Sequence, residues 1–507
     1  MPTGVKSRAM KLLTTALGAA MLAALAGCGG DDPAQSGGIR PVEPPPIVPE
    51  QPVIVPPVDP AQPPVPPPLT AIEEIGKYRQ HCADAPPDSP QAGTVDDEKR
   101  FLRAWLGESY LWYRELPALD LAAYATAVSY FDAMKTPLTT ASGKPKDQYH
   151  FSYTEARWAE LSRGGQTGYG LTWLRSTADG VRDWRIAAVE PGSPAALAGL
   201  RRGDRLLTVD GIDFAGATDA ASIAALNAAL SPATAGASHQ LTVRRADGDT
   251  VEARLTAVKL AIAPVQNTTV LQSATGPVGY LTFGAHVAGA EAPLTAAFAS
   301  LRDAGVKDLV LDLRYNGGGL LSIASKVAYM IAGPQAAGKT FEHTLANDKT
   351  KPNQPILFPA SAQLPYLGLR RVYVLAGPGT CSASESIVNG LRGADVDVHL
   401  VGGQTCGKPY AFIPATNCGR TYFAIQYQGV NHKGFGDYAD GFAPTCAAAD
   451  DLRHPLGSLD ETLLRTALQL RADGTCPVSA AARAGARAPQ LVPVREPASE
   501  IAIDDRP

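Results

Sequence analysis

Hydrophobic and polar positions change rhythm three times along this chain. From residue 70 to 165 apolar residues recur at helical spacing: Asp96-Asp97-Glu98 precedes Phe101, Leu102, Trp105 and Leu106, and Tyr110 to Tyr113 and Leu121 to Met134 continue the pattern. An acidic first turn followed by such a stripe predicts a helix buried on one face, so these aromatics read as core. From Gly168 to about Leu260 the texture becomes short strands broken by Gly, Pro and Asp turns, which predicts a β-rich unit over 166–262. Over 263–476 apolar strands alternate with helices. Val278 to Phe283, Val306 to Leu313 and Val372 to Ala376 read as strands, and Glu291 to Ala304 and Leu320 to Ile331 as helices. That alternation predicts an α/β sheet with helices packed against it. The stretch from Gly333 through Gly368 shows no clear period and reads as a projecting insertion. The expected whole is a multi-domain α/β protein.

Composition narrows the function. Apolar residues make up 45% and charged residues 19% of 507 positions, with a net charge of −4. This is an ordinary globular balance without the basic patch that nucleic-acid binding needs. The eight histidines are scattered, with no HExxH and no paired Cys/His spacing. No metal site and no cofactor is expected.

The ends carry addresses rather than core. Lys6, Arg8 and Lys11 precede an apolar run from Leu12 to Ala26, ending in Leu25-Ala26-Gly27-Cys28. This resembles the lipobox of bacterial lipoproteins, which implies cleavage before Cys28 (residues 1–27 as signal peptide), lipidation of Cys28 and a lipid anchor in the membrane. The run is short for a spanning helix, which needs about 20 apolar residues. Gly29, where an Asp often marks inner-membrane retention, points to the outer membrane, with the body facing the periplasm. Residues 28–69 form a linker dense in proline; at ~3.1 Å per residue its core from Pro41 to Pro68 would reach roughly 85 Å as an extended stalk. Residues 477–507, rich in Ala, Arg and Pro, read as a disordered tail. Apart from Cys28 six cysteines remain, an even number in an oxidising compartment. Cys418 with Cys446, and Cys381 with Cys406, are the expected pairs, because each brackets a segment that should fold back on itself.

The β-rich unit carries Ser193-Pro194-Ala195 and, after it, Arg202-Gly203-Asp204. These elements resemble a PDZ domain of the bacterial protease type. The resemblance places Gly168-Tyr169-Gly170-Leu171 at the carboxylate-binding loop, where successive backbone N–H groups can hold a peptide's terminus while the peptide adds a strand to the sheet edge.

Two motifs carry the chemistry: Asp312-Leu313-Arg314-Tyr315-Asn316-Gly317-Gly318-Gly319 at the end of a buried strand, and Thr380-Cys381-Ser382-Ala383-Ser384-Glu385 after another, followed by Gly402-Gly403-Gln404-Thr405-Cys406-Gly407-Lys408. In this order, after a PDZ-like unit, they resemble the carboxy-terminal processing peptidases, or tail-specific proteases, over roughly residues 97 to 470. Lys146-Asp147-Gln148-Tyr149 echoes a further family element. The resemblance implies a crotonase-like serine peptidase core acting on polypeptide substrates. It puts the nucleophile three residues before Glu385, at Ser382, and the general base at Lys408. It assigns the oxyanion hole to the Ala383 amide and an amide of Gly318 or Gly319.

Physical chemistry supports those roles. A serine at a strand-to-helix turn stands at the sheet's edge, where the helix amides favour an oxyanion. A lysine titrates near ~10.4 and must come to roughly 7–8 to accept the serine proton. Burial among Val398, Leu400, Val401, Tyr410 and Phe412 is expected to provide this. The family's third residue does not fall in place: the position of its glutamine is Phe412, and that of its aspartate is Gly393, with Asp395 two residues away. A Ser–Lys dyad is therefore expected. A silent PDZ adaptor and a non-proteolytic acyl hydrolase remain as alternatives.

Overall fold

The computed structural model describes residues 69–477 and 490–494, apart from 177, 179, 181, 352, 361 and 362. The lipobox with Cys28 and the Pro-rich stretch lie outside the described residues. The centre of the molecule is a six-stranded sheet in the order Val265–Leu271, Val278–Phe283, Asp308–Asp312, Arg371–Ala376, Asp397–Gly402, Cys446–Ala447. Its first pair is antiparallel and the rest are parallel. Strand side chains alternate between two cores, as a period of two requires. Leu281, Leu309, Leu311, Val372 and Val374 face the helices Glu291–Asp303, Leu321–Ala332 and Ala383–Gly393. Tyr280, Val310, Tyr373, Leu375 and Val401 face the helix Thr462–Asp473. The turn carrying Ser382 therefore leaves a central strand of a three-layer α/β core.

The N-terminal region folds onto this body. Thr94 caps the helix Val95–Ser109 by exchanging hydrogen bonds with Asp97 (Thr94 N to Asp97 Oδ2 2.9 Å, Asp97 N to Thr94 Oγ1 3.2 Å). Phe101, Leu102, Trp105 and Leu106 are buried, as their spacing predicts. They share a core with Tyr410, Tyr422 and Ile425 from the far side of the sequence. The region is not helical throughout, because Phe151–Thr154 pairs antiparallel with Arg420–Phe423. A disulfide joins Cys82 to Cys418.

That bond corrects the expected Cys418–Cys446 pairing. Cys418 sits in a tight hairpin turn at φ 48°, beside Asn417, whose side chain accepts the Gln80 amide at 2.7 Å. Cys446 lies on the far edge strand and bonds Cys476, just past the helix that covers that edge. Bracketing in sequence proved a poor guide where long-range packing set the neighbours. The expected Cys381–Cys406 bond is present.

The PDZ unit is a twisted antiparallel sheet with strands Leu171–Ser176, Trp184–Val189, Arg205–Val209, Ser238–Arg244 and Thr250–Thr256 in spatial order. Trp184, Ile186, Phe214, Leu226, Leu241 and Leu255 fill its core. Two further expectations need correction. The stretch from Gly333 to Gly368 does not project: Thr340–Ala346 pairs with Tyr427–Val430, and Phe341 is buried against Phe358. Its buried positions include Glu342 and Thr344, which hides the strand from an apolar-pattern reading. The tail is not wholly without structure either. Leu491–Pro493 adds a strand to the PDZ sheet, antiparallel to Leu171–Ser176; three residues are too few to show a period.

Candidate active site

Ser382 is the residue before the helix Ala383–Gly393, and it holds φ 55° and ψ −119°. A non-glycine residue there carries roughly 1–3 kcal/mol of strain, which persists only when the surroundings over-determine it. Those surroundings are visible. Cys381 N and Ser384 Oγ both donate to Asn316 O, at 3.1 and 2.9 Å, so the glycine loop and the serine turn are fastened to each other. The Glu385 side chain reaches back to accept the Ser382 amide at 3.1 Å. The half-buried serine thus stands at the N-terminus of a helix buried along most of its length.

The glycine loop lies against this turn because it lacks side chains. A β-carbon on Gly318 (φ +99°) would sit 2.8 Å from Ser382 Cβ and 2.9 Å from Ala383 N, and one on Gly319 (φ +138°) 2.4 Å from His286 O. Both positions require glycine. Asn316 sets the loop's shape: its Oδ1 accepts from Gly318 N at 3.0 Å and lies 3.0 Å from His286 Nδ1, while its Nδ2 donates to Phe283 O at 2.8 Å. Burial lowers His286 to about 4, so the ring is neutral and acts as a strut. The Gly318 amide is committed to Asn316. Of the two candidates for the oxyanion hole this leaves Gly319, with Ala383 across the gap.

Glu385 organises the lysine side of the site. Its fully buried carboxylate accepts from Thr405 Oγ1 (2.5 Å), Gly407 N (2.9 Å) and Lys408 N (2.8 Å), besides Ser382 N. Burial pushes this carboxyl above its ordinary range, opposed by the hydrogen bonds it accepts. The Cys381–Cys406 bond fastens the same two segments a second time. Glu385 served the sequence reading only as a landmark for counting; four donors converging on one carboxylate is a tertiary fact.

The Lys408 ammonium nitrogen lies 4.2 Å from the Phe412 ring centroid and 4.9 Å from that of Tyr149, within cation–π range. Tyr149 is pinned by its hydroxyl, which donates to Gly407 O at 3.2 Å. The expected lining is only partly right. Phe412 is there, whereas Val398, Leu400 and Val401 are absorbed into the cores on the two faces of the sheet. Asp395 is exposed and pairs with Lys433 at 2.6 Å. Among the described residues no cluster of His, Cys, Asp and Glu could hold a metal ion.

In the PDZ unit Gly168, Tyr169 and Gly170 are buried and Leu171 half-buried. Tyr169 donates its hydroxyl to Ala229 O at 2.9 Å, tying the loop to the helix Ala220–Leu230. Gly170 (φ +79°) packs so tightly that a β-carbon would lie 2.3 Å from Ser193 Cβ.

Comparison with known proteins identifies the domains that frame this site. The model of peptidase family S41 matches residues 277–413, a PDZ domain model residues 185–245, and the peptidase S41 N-terminal domain residues 97–153. The chain belongs to peptidase family S41. It is a serine-type peptidase, similar to the C-terminal processing peptidase of the Tetradesmus obliquus chloroplast (29% identity, covering 63% of this chain and 70% of that protein). It is also 31% identical to a carboxyl-terminal-processing protease of Picosynechococcus sp., covering 43% of this chain and 49% of that relative, so this second match spans about half the relative's length. An S41 protease from Bacteroides fragilis shares the fold with a TM-score of 0.59 at 24% identity, over 74% of this chain and 97% of its own.

Proposed function

We propose that this S41 peptidase is an envelope endopeptidase that cleaves exported polypeptides through an acyl-enzyme on Ser382, with Lys408 as general base and the PDZ unit recruiting exposed C-termini or unfolded segments. Cys28 would anchor it by lipid at the membrane, facing the periplasm. The observation that carries the reading is the strained serine at a helix N-terminus, with the Lys408 loop fastened to that turn by Glu385 and by a disulfide. Ser382 Oγ would attack the scissile carbonyl as Lys408 takes its proton. The Ala383 and Gly319 amides would hold the oxyanion, and the lysine would return the proton to the leaving amine before water releases the acyl group.

The test is cleavage of an unstructured polypeptide such as casein by wild type, Ser382→Ala and Lys408→Ala. Each variant is expected to lose at least about a thousandfold in kcat while keeping wild-type melting behaviour. Equal cleavage by all three proteins would sink the mechanism.

A further inference from the structure

The strand at the PDZ edge belongs to the chain's own tail. Leu491, Val492 and Pro493 pair antiparallel with Ser176, Arg175 and Leu174, and Val494 N donates to Trp173 O at 2.9 Å. The strand they pair with begins directly after Gly168-Tyr169-Gly170. Read towards its C-terminus, the tail runs at that loop. This is the edge, and the direction, in which a bound peptide would add a strand.

Side-chain alternation gives the segment two faces. Val494 packs on the PDZ core, in a cavity of about 220 Å³ lined by Gly168, Tyr169, Leu171 and Leu230 among others. Leu491 and Pro493 turn towards the peptidase body. Leu491 joins Leu174, Ala187 and Leu452 in a small apolar cluster. Pro493 covers the serine loop so closely that a β-carbon on Gly379 would lie 2.7 Å from its Cγ. A β-carbon on Gly403, at the start of the lysine loop, would lie 3.4 Å from Gln490 Nε2. The proline costs the ladder nothing: it alternates with the bonded Val494–Trp173 pair, so the N–H it lacks would point away from the groove.

We infer that residues Gln490–Val494 are an intramolecular ligand of the PDZ groove, competing with substrate for the edge strand and holding the peptidase at low occupancy until a substrate displaces them. This rests on the proposal that the PDZ unit recruits substrate. It adds that the groove accepts an internal, apolar, extended segment, since thirteen residues follow Val494 in the sequence. A tethered ligand presents an effective concentration on the order of millimolar. A groove that binds such a segment with a Kd near ~100 μM would therefore appear about tenfold weaker to any ligand in trans.

The experiment compares full-length wild type with Leu491→Asp/Val494→Asp, substitutions in a peripheral strand. Anisotropy of a dye-labelled peptide spanning residues 486–498 is measured alongside steady-state cleavage of an unstructured polypeptide. The variant should bind the peptide about tenfold more tightly, and its KM should fall severalfold at unchanged kcat. Equal peptide affinity in both proteins, itself abolished by Leu230→Asp, would overturn the inference and leave PDZ recruitment standing. Absence of peptide binding to either protein, with a KM indifferent to Leu230→Asp, would overturn both.

Discussion

The nucleophile proposed above, Ser382, needs a fixed direction more than it needs a special pKa, and Glu385 accepts its backbone amide. On that proposal Glu385 is a positioning residue. Its two oxygens accept four donors, split between the Ser382 turn and the Lys408 loop. Glutamine offers one acceptor oxygen and an NH₂ that would face two N–H donors. Glu385→Gln should therefore cost about 3 kcal/mol of stability, seen as a lower urea midpoint. It should also reduce kcat at least about a hundredfold with KM held near wild type. A fall in stability without the kcat effect would show that the carboxylate only packs. At this scale the motifs holding Ser382 and Lys408 are legible, because they are short and fixed in spacing, and the fold brings their two segments together. Phe412 beside the lysine is legible too, whereas the roles of Glu385, Asn316 and Tyr149 are not. Each acts through contacts between segments far apart in the chain, and residue type alone leaves those contacts open.

Among the elements, strands and helices with apolar alternation read correctly, and those that bury polar groups did not. The strand Thr340–Ala346 is the clearest case. Glu342, on its inner face, lies beneath the helix Ala383–Gly393 next to Ser386, and burial pushes it up from about 4.5 to about 7 against a hydrogen bond from that serine. Its folded value is raised, so the folded state favours the protonated form. The stability this contributes is complete below about pH 4.5 and is lost as pH rises through about 7. Glu342→Gln should then stabilise the protein, by less than about 1 kcal/mol at pH 5 and up to about 3 kcal/mol at pH 8. Urea midpoints at the two pH values read the difference directly. A constant offset between variant and wild type would show that Glu342 is ionised in the fold at both. The tail strand was missed for another reason: its pairing partner lies some three hundred residues away, and only the sheet edge reveals it.

The molecule as a whole must hold its PDZ unit in register with the Ser382 turn, and one arginine bridges the two. Arg202, from the Arg202-Gly203-Asp204 turn, donates to Ala187 O (2.5 Å), Tyr315 Oη (2.5 Å) and Asp450 Oδ1 (2.6 Å). Tyr315 and Asp450 also bond each other, and Asp450 accepts from Arg314, which in turn is clamped by Asp312 and Glu461. The network runs from the PDZ sheet to the residue pair Arg314-Tyr315, directly before the glycine loop. Gly203 lets the units meet, since a β-carbon there would lie 2.4 Å from Leu452 O. Removing the guanidinium leaves part of a buried network unpaired, at a cost of about 3 kcal/mol. That penalty falls on the domain interface, because each unit keeps its own core. Arg202→Leu should therefore preserve peptide binding by the PDZ unit while loosening its seat. Small-angle scattering should show a larger radius of gyration, and kcat/KM for an unstructured polypeptide should fall about tenfold or more, with serine-probe labelling retained. Loss of labelling together with cleavage would place the damage at the serine itself, and unchanged scattering with unchanged kcat/KM would show that the interface holds without Arg202.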